Sequence, residues 1–181
     1  MSSTTAYRYA PGIEQTNEEN MENVPCYGYL YNWPAAMHGA SSNESNPSGV
    51  QGICPDGWHV PSDAEWTQLI NYMKTKPMYM ASGNSSHLAK ALATTWGWES
   101  SSETDAVGNN PSTNNATGFS APPAGISYGD YYGMGVEAFF WSTRESTDED
   151  AYYRYLLDGD ATVLKNDNSK YFAFSVRCVR N

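Results

Sequence analysis

Residues 52–66 read GICPDGWHVPSDAEW, and the fold turns on how they are read. This one short run holds a cysteine, two prolines, a histidine, two tryptophans and three carboxylates. Cys54, His59, Asp63 and Glu65 are residue types of a catalytic or metal site, and equally of a joint between a loop and a helix. The spacing favours the joint. Ser62 followed three positions later by Glu65 is a capping box: the Ser62 hydroxyl accepts the Glu65 amide, and the Glu65 carboxylate reaches back to the Ser62 amide. Asp63 adds negative charge in the first turn, where the helix dipole favours it. Trp66, Leu69, Ile70 and Met73 then fall at i, i+3, i+4 and i+7, one apolar face. The pattern predicts a helix from about 63 to 75, stopped by Pro77. Between Trp58 and Val60, His59 is expected to be a hydrogen-bonded histidine under that helix.

With 181 residues the chain is long enough for one domain with a real core. Aromatics reach 14% and charged residues only 17%. Few charges with many turn formers and rings point to a loop-rich β or α+β domain rather than to disorder. The net charge of −10 and a pI near 4.6 leave no basic footprint for nucleic acid or an anionic membrane surface. No apolar run approaches the roughly 18 residues of a membrane-spanning helix. The first residues, MSSTTAYRYAPG, lack the basic and apolar regions of a signal peptide. That fits a chain that has lost one, or a protein made in the cytosol as a virion protein is.

Along the chain, residues 1–25 read as a polar arm or edge strand and 26–181 as one domain. CYGYLYNWPAAM (26–37) alternates aromatic and small residues up to Pro34 and reads as a strand; a Ser/Asn/Gly/Pro loop (38–52) follows. SSHLAKALATTWGWE (85–99) is a second helical candidate, and 100–117 a long surface loop. From 118 onward the signal is β. EAFFWSTRE is a strand, and AYYRYLLDGDATVLKN two strands joined at Asp158-Gly159. KYFAFSVRCVRN alternates, with Phe172, Phe174, Val176 and Cys178 expected to face the core and Ala173, Ser175 and Arg177 to face away.

Two segments, GICPDGWHVPSDAEWTQL and AFSVRCVRN, with GFSAPPAG and FFWSTRE between them, resemble the Fibrobacter succinogenes major paralogous domain family from about residue 26 to 181. That family shows a Cys-Pro-x-Gly-Trp-His-Val-Pro-x-x-x-Glu-Trp start and a Gly-Phe-Ser-Val-Arg-Cys-Val end; Ala173 stands here in place of its glycine. The same ends are more distantly similar to the formylglycine-generating enzyme group. The resemblance implies an α+β chain of C-type lectin-like fold, with two helices packed on twisted antiparallel sheets and its chain ends close together. It also implies a Cys54–Cys178 disulfide, which on the chain-entropy model contributes about 4–5 kcal/mol. In a reducing compartment both would be buried thiols. Cys26 lies outside the matched motifs and is expected to be free.

Enzymatic chemistry finds little support. No CxxC, GxSxG, P-loop or GxGxxG is present, and His38, His59 and His87 lack ligand spacing. No cofactor is expected. STDED, DGD and NDN gather oxygen ligands of the kind a structural calcium takes, without the Glu-Pro-Asn or Trp-Asn-Asp pattern of sugar-binding C-type lectins. The expected site is instead a Tyr/Asn/Asp-rich face: Tyr128, Asp130, Tyr131 and Tyr132; Trp141, Arg144 and Glu145; Tyr153, Tyr155, Asp158 and Asp160; Lys165, Asn166, Asp167, Asn168 and Tyr171. This composition is that of an antibody paratope, and it is similar to variable proteins of diversity-generating retroelements. The expectation is a non-enzymatic domain that binds a protein or glycan ligand at a cell surface, extracellularly or on a virion, its oligomeric state left open. The alternatives are a formylglycine-generating-type oxidase and a structural module of a cell-surface or virion protein.

Overall fold

The computed structural model describes residues 5–10 and 23–181; most of the expected arm lies outside them. The opening stretch is a joint. Strand β3 (Trp58–His59) leads into helix α3 (Asp63–Met73). Ser62 Oγ accepts the Glu65 amide at 3.2 Å, and Glu65 Oε2 accepts the Ser62 amide at 2.9 Å. Glu65 does more than cap: Oε2 also takes the Ser48 amide at 3.0 Å, and Oε1 lies 2.7 Å from His59 Nε2. The buried His59 ring sits 2.6 Å from Asn181 Oδ1 on its other side. The last strand, β10 (Val179–Arg180), pairs antiparallel with β3, with Val179 opposite His59. Cys54 is bonded to Cys178 across 124 residues of sequence, with the Cα atoms 5.7 Å apart. A ladder, a disulfide and a histidine thus fasten one joint to the chain end.

The second half supplies a meander of β6 (Glu137–Glu145), β7 (Asp150–Leu157) and β8 (Leu164–Ser169), in that spatial order. A register shift between Trp141 and Glu145 releases the end of β6, whose Thr143 amide bonds instead to the Pro61 carbonyl. Alternation divides the sheet between two cores. Ala138, Phe140 and Leu156 pack with Trp66, Met73, Leu88 and Leu92 on the α3 side. Phe139, Trp141, Ala151 and Tyr153 pack with Trp33, Met37 and Phe174 on the other.

Between α3 and the meander lies a buried ion cluster. Asp63, at the first position of α3, is only 5% exposed. Its Oδ1 accepts from Arg154 Nε and Nη2 at 3.0 and 2.6 Å, and its Oδ2 accepts from Lys165 Nζ at 2.6 Å. Arg144 approaches Oδ2 at 4.0 Å. One carboxylate therefore joins the start of the helix to all three strands of the meander. Arg154 Nη2 also donates to Thr67 Oγ1 at 2.9 Å, which satisfies a further donor of the buried guanidinium.

A second sheet has the order β1–β2–β9–β4–β5, formed by Arg8–Tyr9, Leu30–Asn32, Ala173–Phe174, Ile126–Ser127 and Tyr131–Tyr132. Here the structure departs from the pattern in three places. Of the strand expected over 26–37 only Leu30–Asn32 is extended; α1 (Val24–Tyr27) precedes it and α2 (Trp33–Met37) follows. Pro25 and Pro34 occupy first-turn helical positions, where a missing N–H is tolerated, and Asn32 caps α2 by accepting the Ala35 amide at 3.3 Å. The second expected helix shrinks to one turn, α4 (Ala89–Leu92), because the chain bonds sideways straight after it, Thr94 amide to Ala121 carbonyl at 2.8 Å. The terminal strand is broken in two. Its first piece, β9, lies between β2 and β4, so Ala173 and Ser175 are buried along with Phe174, contrary to the outward side expected for them. The outcome is an α+β arrangement of mostly antiparallel sheets with a few helices, of which α3 is the longest among the described residues.

Two outcomes test the joint. Asp63→Ala leaves two cations facing each other around an emptied site and is expected to cost about 3–5 kcal/mol in urea unfolding; an unchanged midpoint would show that the cluster holds nothing together. For His59, burial pulls the pKa down, but hydrogen bonds to Glu65 and Asn181 and the Glu65 charge outweigh it, and the net shift is upward. A raised folded-state pKa gives stability that is complete below about 6.5, the unfolded value, and lost as pH rises through the folded value. The stability difference between wild type and His59→Gln should therefore be larger at pH 6 than at pH 9, and a pH-independent difference would refute the linkage.

Candidate recognition surface

The hairpin β4–β5 pairs Ile126 with Tyr132 and Ser127 with Tyr131. Its turn is tight: the Tyr128 amide bonds to the Asp130 carbonyl at 3.1 Å, and Gly129 between them takes a φ of 114°, which glycine adopts without a Cβ penalty. This turn brings Tyr128 and Tyr132 into a parallel stack, with centroids 4.6 Å apart and planes 15° from parallel. Both rings stay at the surface, 38% and 44% exposed. Asp130 Oδ2 accepts from Tyr132 Oη at 3.4 Å.

From this pair a row of rings runs inward. Tyr128 meets Phe172 at 5.0 Å, and Tyr171 Oη donates to the Tyr128 carbonyl at 3.0 Å. Phe172 meets Phe174 at 6.3 Å, Phe174 meets Tyr153 at 4.8 Å, and Tyr153 meets Tyr155 at 5.4 Å. Tyr155 is stacked on Phe139, 5.4 Å away and 16° from parallel. On β8, Asn166 stands opposite Tyr153 and Asn168 opposite Ala151, so both amides share this face of the meander. Burial pushes the Tyr153 phenol pKa up and the neighbouring Tyr155 adds to it, while hydrogen bonds to Asn166 and Asn168 oppose the rise. The result is a line of ring contacts that starts at the exposed Tyr128–Tyr132 stack, passes through the buried Phe174 and Tyr153 and ends at the half-buried Tyr155, with two side-chain amides beside it.

Not all the residues expected at the site belong to it. Trp141 is fully buried with Nε1 donating to the Tyr31 carbonyl at 2.8 Å, and Tyr153 is almost as deep; both are core residues whose rings support the row from below. Tyr131 turns inward, donating its hydroxyl to the Ala124 carbonyl, and burial drives its pKa far up. Lys165 faces the other side of the sheet, held by Asp63, with its ammonium 4.2 Å from the Tyr152 ring centre. Arg144 joins it over the same ring at 4.8 Å and lies 3.6 Å from Glu44. Asp167 accepts from Ser146 Oγ at 2.7 Å on that side, and Glu145 takes Lys170 at 2.7 Å. Asp158 and Asp160 are turn residues. The Asp158 carbonyl accepts the Gly108 amide at 2.7 Å, and Asp160 Oδ1 accepts the Thr162 amide at 2.7 Å. Of the expected set, Tyr128, Asp130, Tyr132, Tyr155, Asn166, Asn168 and Tyr171 remain on the aromatic face. Of these, Tyr155, Asn168 and Tyr171 are half-buried rather than free in solvent. Phe172 belongs with them; its sequence signal is its place between Tyr171 and Ala173, which alternation alone assigns wholly to the core.

Among the described residues no group of three or more His, Cys, Asp or Glu is arranged to hold a metal ion, and no helix is long and apolar enough to cross a membrane. Cys26 is the free cysteine, exposed on α1.

Comparison with known proteins gives one family. The Fibrobacter succinogenes major domain matches residues 2–180, reaching back through the stretch that reads as an arm. No curated protein and no solved structure matches the chain. With nearly every residue inside the match, from the capped helix to the last strand, the protein belongs to the Fibrobacter succinogenes major domain family.

Proposed function

We propose that the protein is a non-enzymatic recognition domain of C-type lectin-like fold that binds a protein or glycan ligand on a cell surface through its aromatic face. The observation that carries this reading is the exposed Tyr128–Tyr132 stack, backed by rings that run through the core to the half-buried Tyr155, with the exposed Asn166 and half-buried Asn168 on the same face. Tyrosine offers broad contact with few rotamers to freeze, and neighbouring amides adapt their hydrogen bonds to the partner. The joint of Cys54 and His59 to the chain end supports the lectin-like topology. The disulfide supports an oxidising location, extracellular, cell-surface or virion. It also speaks against the formylglycine-generating alternative, because Cys54 and Cys178 are bonded to each other and leave Cys26 as a lone thiol. Diversification by a retroelement fits an edge strand such as β8, where Asn166 is exposed and can change without disturbing either core.

A triple variant, Tyr128→Ala, Tyr132→Ala and Asn166→Ala, is expected to fold. Its loss should stay within about 3 kcal/mol, the sum of one ring pair and three surface positions. Phe174→Ala, on the same side but in the core, should cost about 3–5 kcal/mol. The labelled wild-type domain, screened on a glycan array and on intact cells before and after surface proteolysis, should give a saturable signal that the triple variant lacks. A folded triple variant that binds as well as wild type would remove the aromatic face from the function.

A further inference from the structure

A groove of about 980 Å³ runs along the outer side of α3, within the range of small-molecule sites. Its lining includes Ala64, Gln68 and Tyr72 of α3, Phe119, Arg177, and Val179 of β10. The aromatic face shares none of the groove's residues, so binding in the groove is independent of the proposed function.

Arg177 is a half-buried cation without a counter-charge among the described residues. Its guanidinium lies over the Phe119 ring, 4.2 Å from the centre, and Nη2 donates to the Phe119 carbonyl at 2.8 Å. Nε is buried and has no acceptor among the described residues, and the same holds for Nε1 of Trp66, which also lines the groove. Among the described residues no carboxylate lies within ion-pair distance of Arg177. The one carboxylate in the lining, Glu65, is already held by Ser48, Ser62 and His59. Arg154 shows the contrast: its buried guanidinium is matched by Asp63. In a chain of net charge −10, carrying 20 acidic against 10 basic side chains, leaving this guanidinium unmatched is conspicuous. Burial of a cation in an apolar wall has a solvation cost that an anion placed there relieves.

We propose that the groove binds a small amphipathic carboxylic acid, its aryl or alkyl chain lying between Tyr72 and Phe119 and its carboxylate paired with the Arg177 guanidinium. Planar guanidinium matches carboxylate geometry, and the apolar lining accepts the chain. Titration of the 15N-labelled protein with 4-phenylbutyrate tests this by NMR, with the uncharged 4-phenylbutanamide as control. A dissociation constant on the order of 1 mM or tighter is expected for a ligand of this size. Shifts should be confined to the amides of α3, Phe119 and residues 177–179, the Trp66 indole N–H and Arg177 Nε–H, and the amide should bind at least about tenfold more weakly. Arg177→Gln should abolish the preference for the acid. Because Arg177 also packs on Phe119, Val179→Glu is the second variant. It sets a carboxylate on an exposed position two residues along and should weaken 4-phenylbutyrate about tenfold with the melting temperature unchanged. Absence of saturable shifts, equal binding of acid and amide, or wild-type affinity in Val179→Glu would each overturn the proposal.

Discussion

The carboxylate of Asp63 is the point on which the arrangement depends. It sits at the first turn of α3, where helix amides and dipole favour an anion, and it is buried against Arg154 of β7 and Lys165 of β8. Side chains alternate along a strand, so fixing Arg154 and Lys165 toward α3 fixes their neighbours toward the other side. Tyr153, Tyr155, Asn166 and Asn168 are those neighbours. One ion cluster thereby sets which residues of the meander join the aromatic row, and a one-residue slip of β8 would exchange its lysine for its asparagines.

The joint at residues 52–66 provides the frame for that cluster. The capping box starts α3 at Asp63, the β3–β10 ladder and the Cys54–Cys178 bond hold the chain end beside it, and Glu65 links cap to histidine. The disulfide closes a loop of 124 residues, which on the chain-entropy model contributes about 4–5 kcal/mol. The residues that looked most like catalysts are thus the ones most fully used by the scaffold.

Legibility in the sequence followed the range of the interaction. The capping box, α3, the β6 strand and the β7–β8 hairpin are local patterns and were readable as such; the disulfide was readable through family resemblance. Pro34 misled because proline ends a strand and begins a helix with the same restricted φ, and only the Asn32 cap decides between them. KYFAFSVRCVRN misled because alternation assumes one wet face, and β9 has neighbours on both edges and packing on both sides. The same limit applied at the surface. Composition marked Tyr131, Trp141, Tyr153 and Lys165 as binding types, yet tertiary contacts bury Trp141 and Tyr153, turn the partly buried Tyr131 inward and bind the lysine to Asp63. Phe172 went the other way, an apolar residue that the Tyr128 ring draws into the face.

Both sides of the meander carry a core, and only the exposed residues of the aromatic face, such as Tyr128, Tyr132 and Asn166, are energetically separate from them. Native-state amide hydrogen exchange measures this residue by residue. Asp63→Asn should lower protection together in α3, β6, β7 and β8, while replacement of the exposed display residues should leave protection in those elements at wild-type values. Protection that falls equally in both variants would contradict the separation, and with it the account of the aromatic face as a surface free to serve recognition.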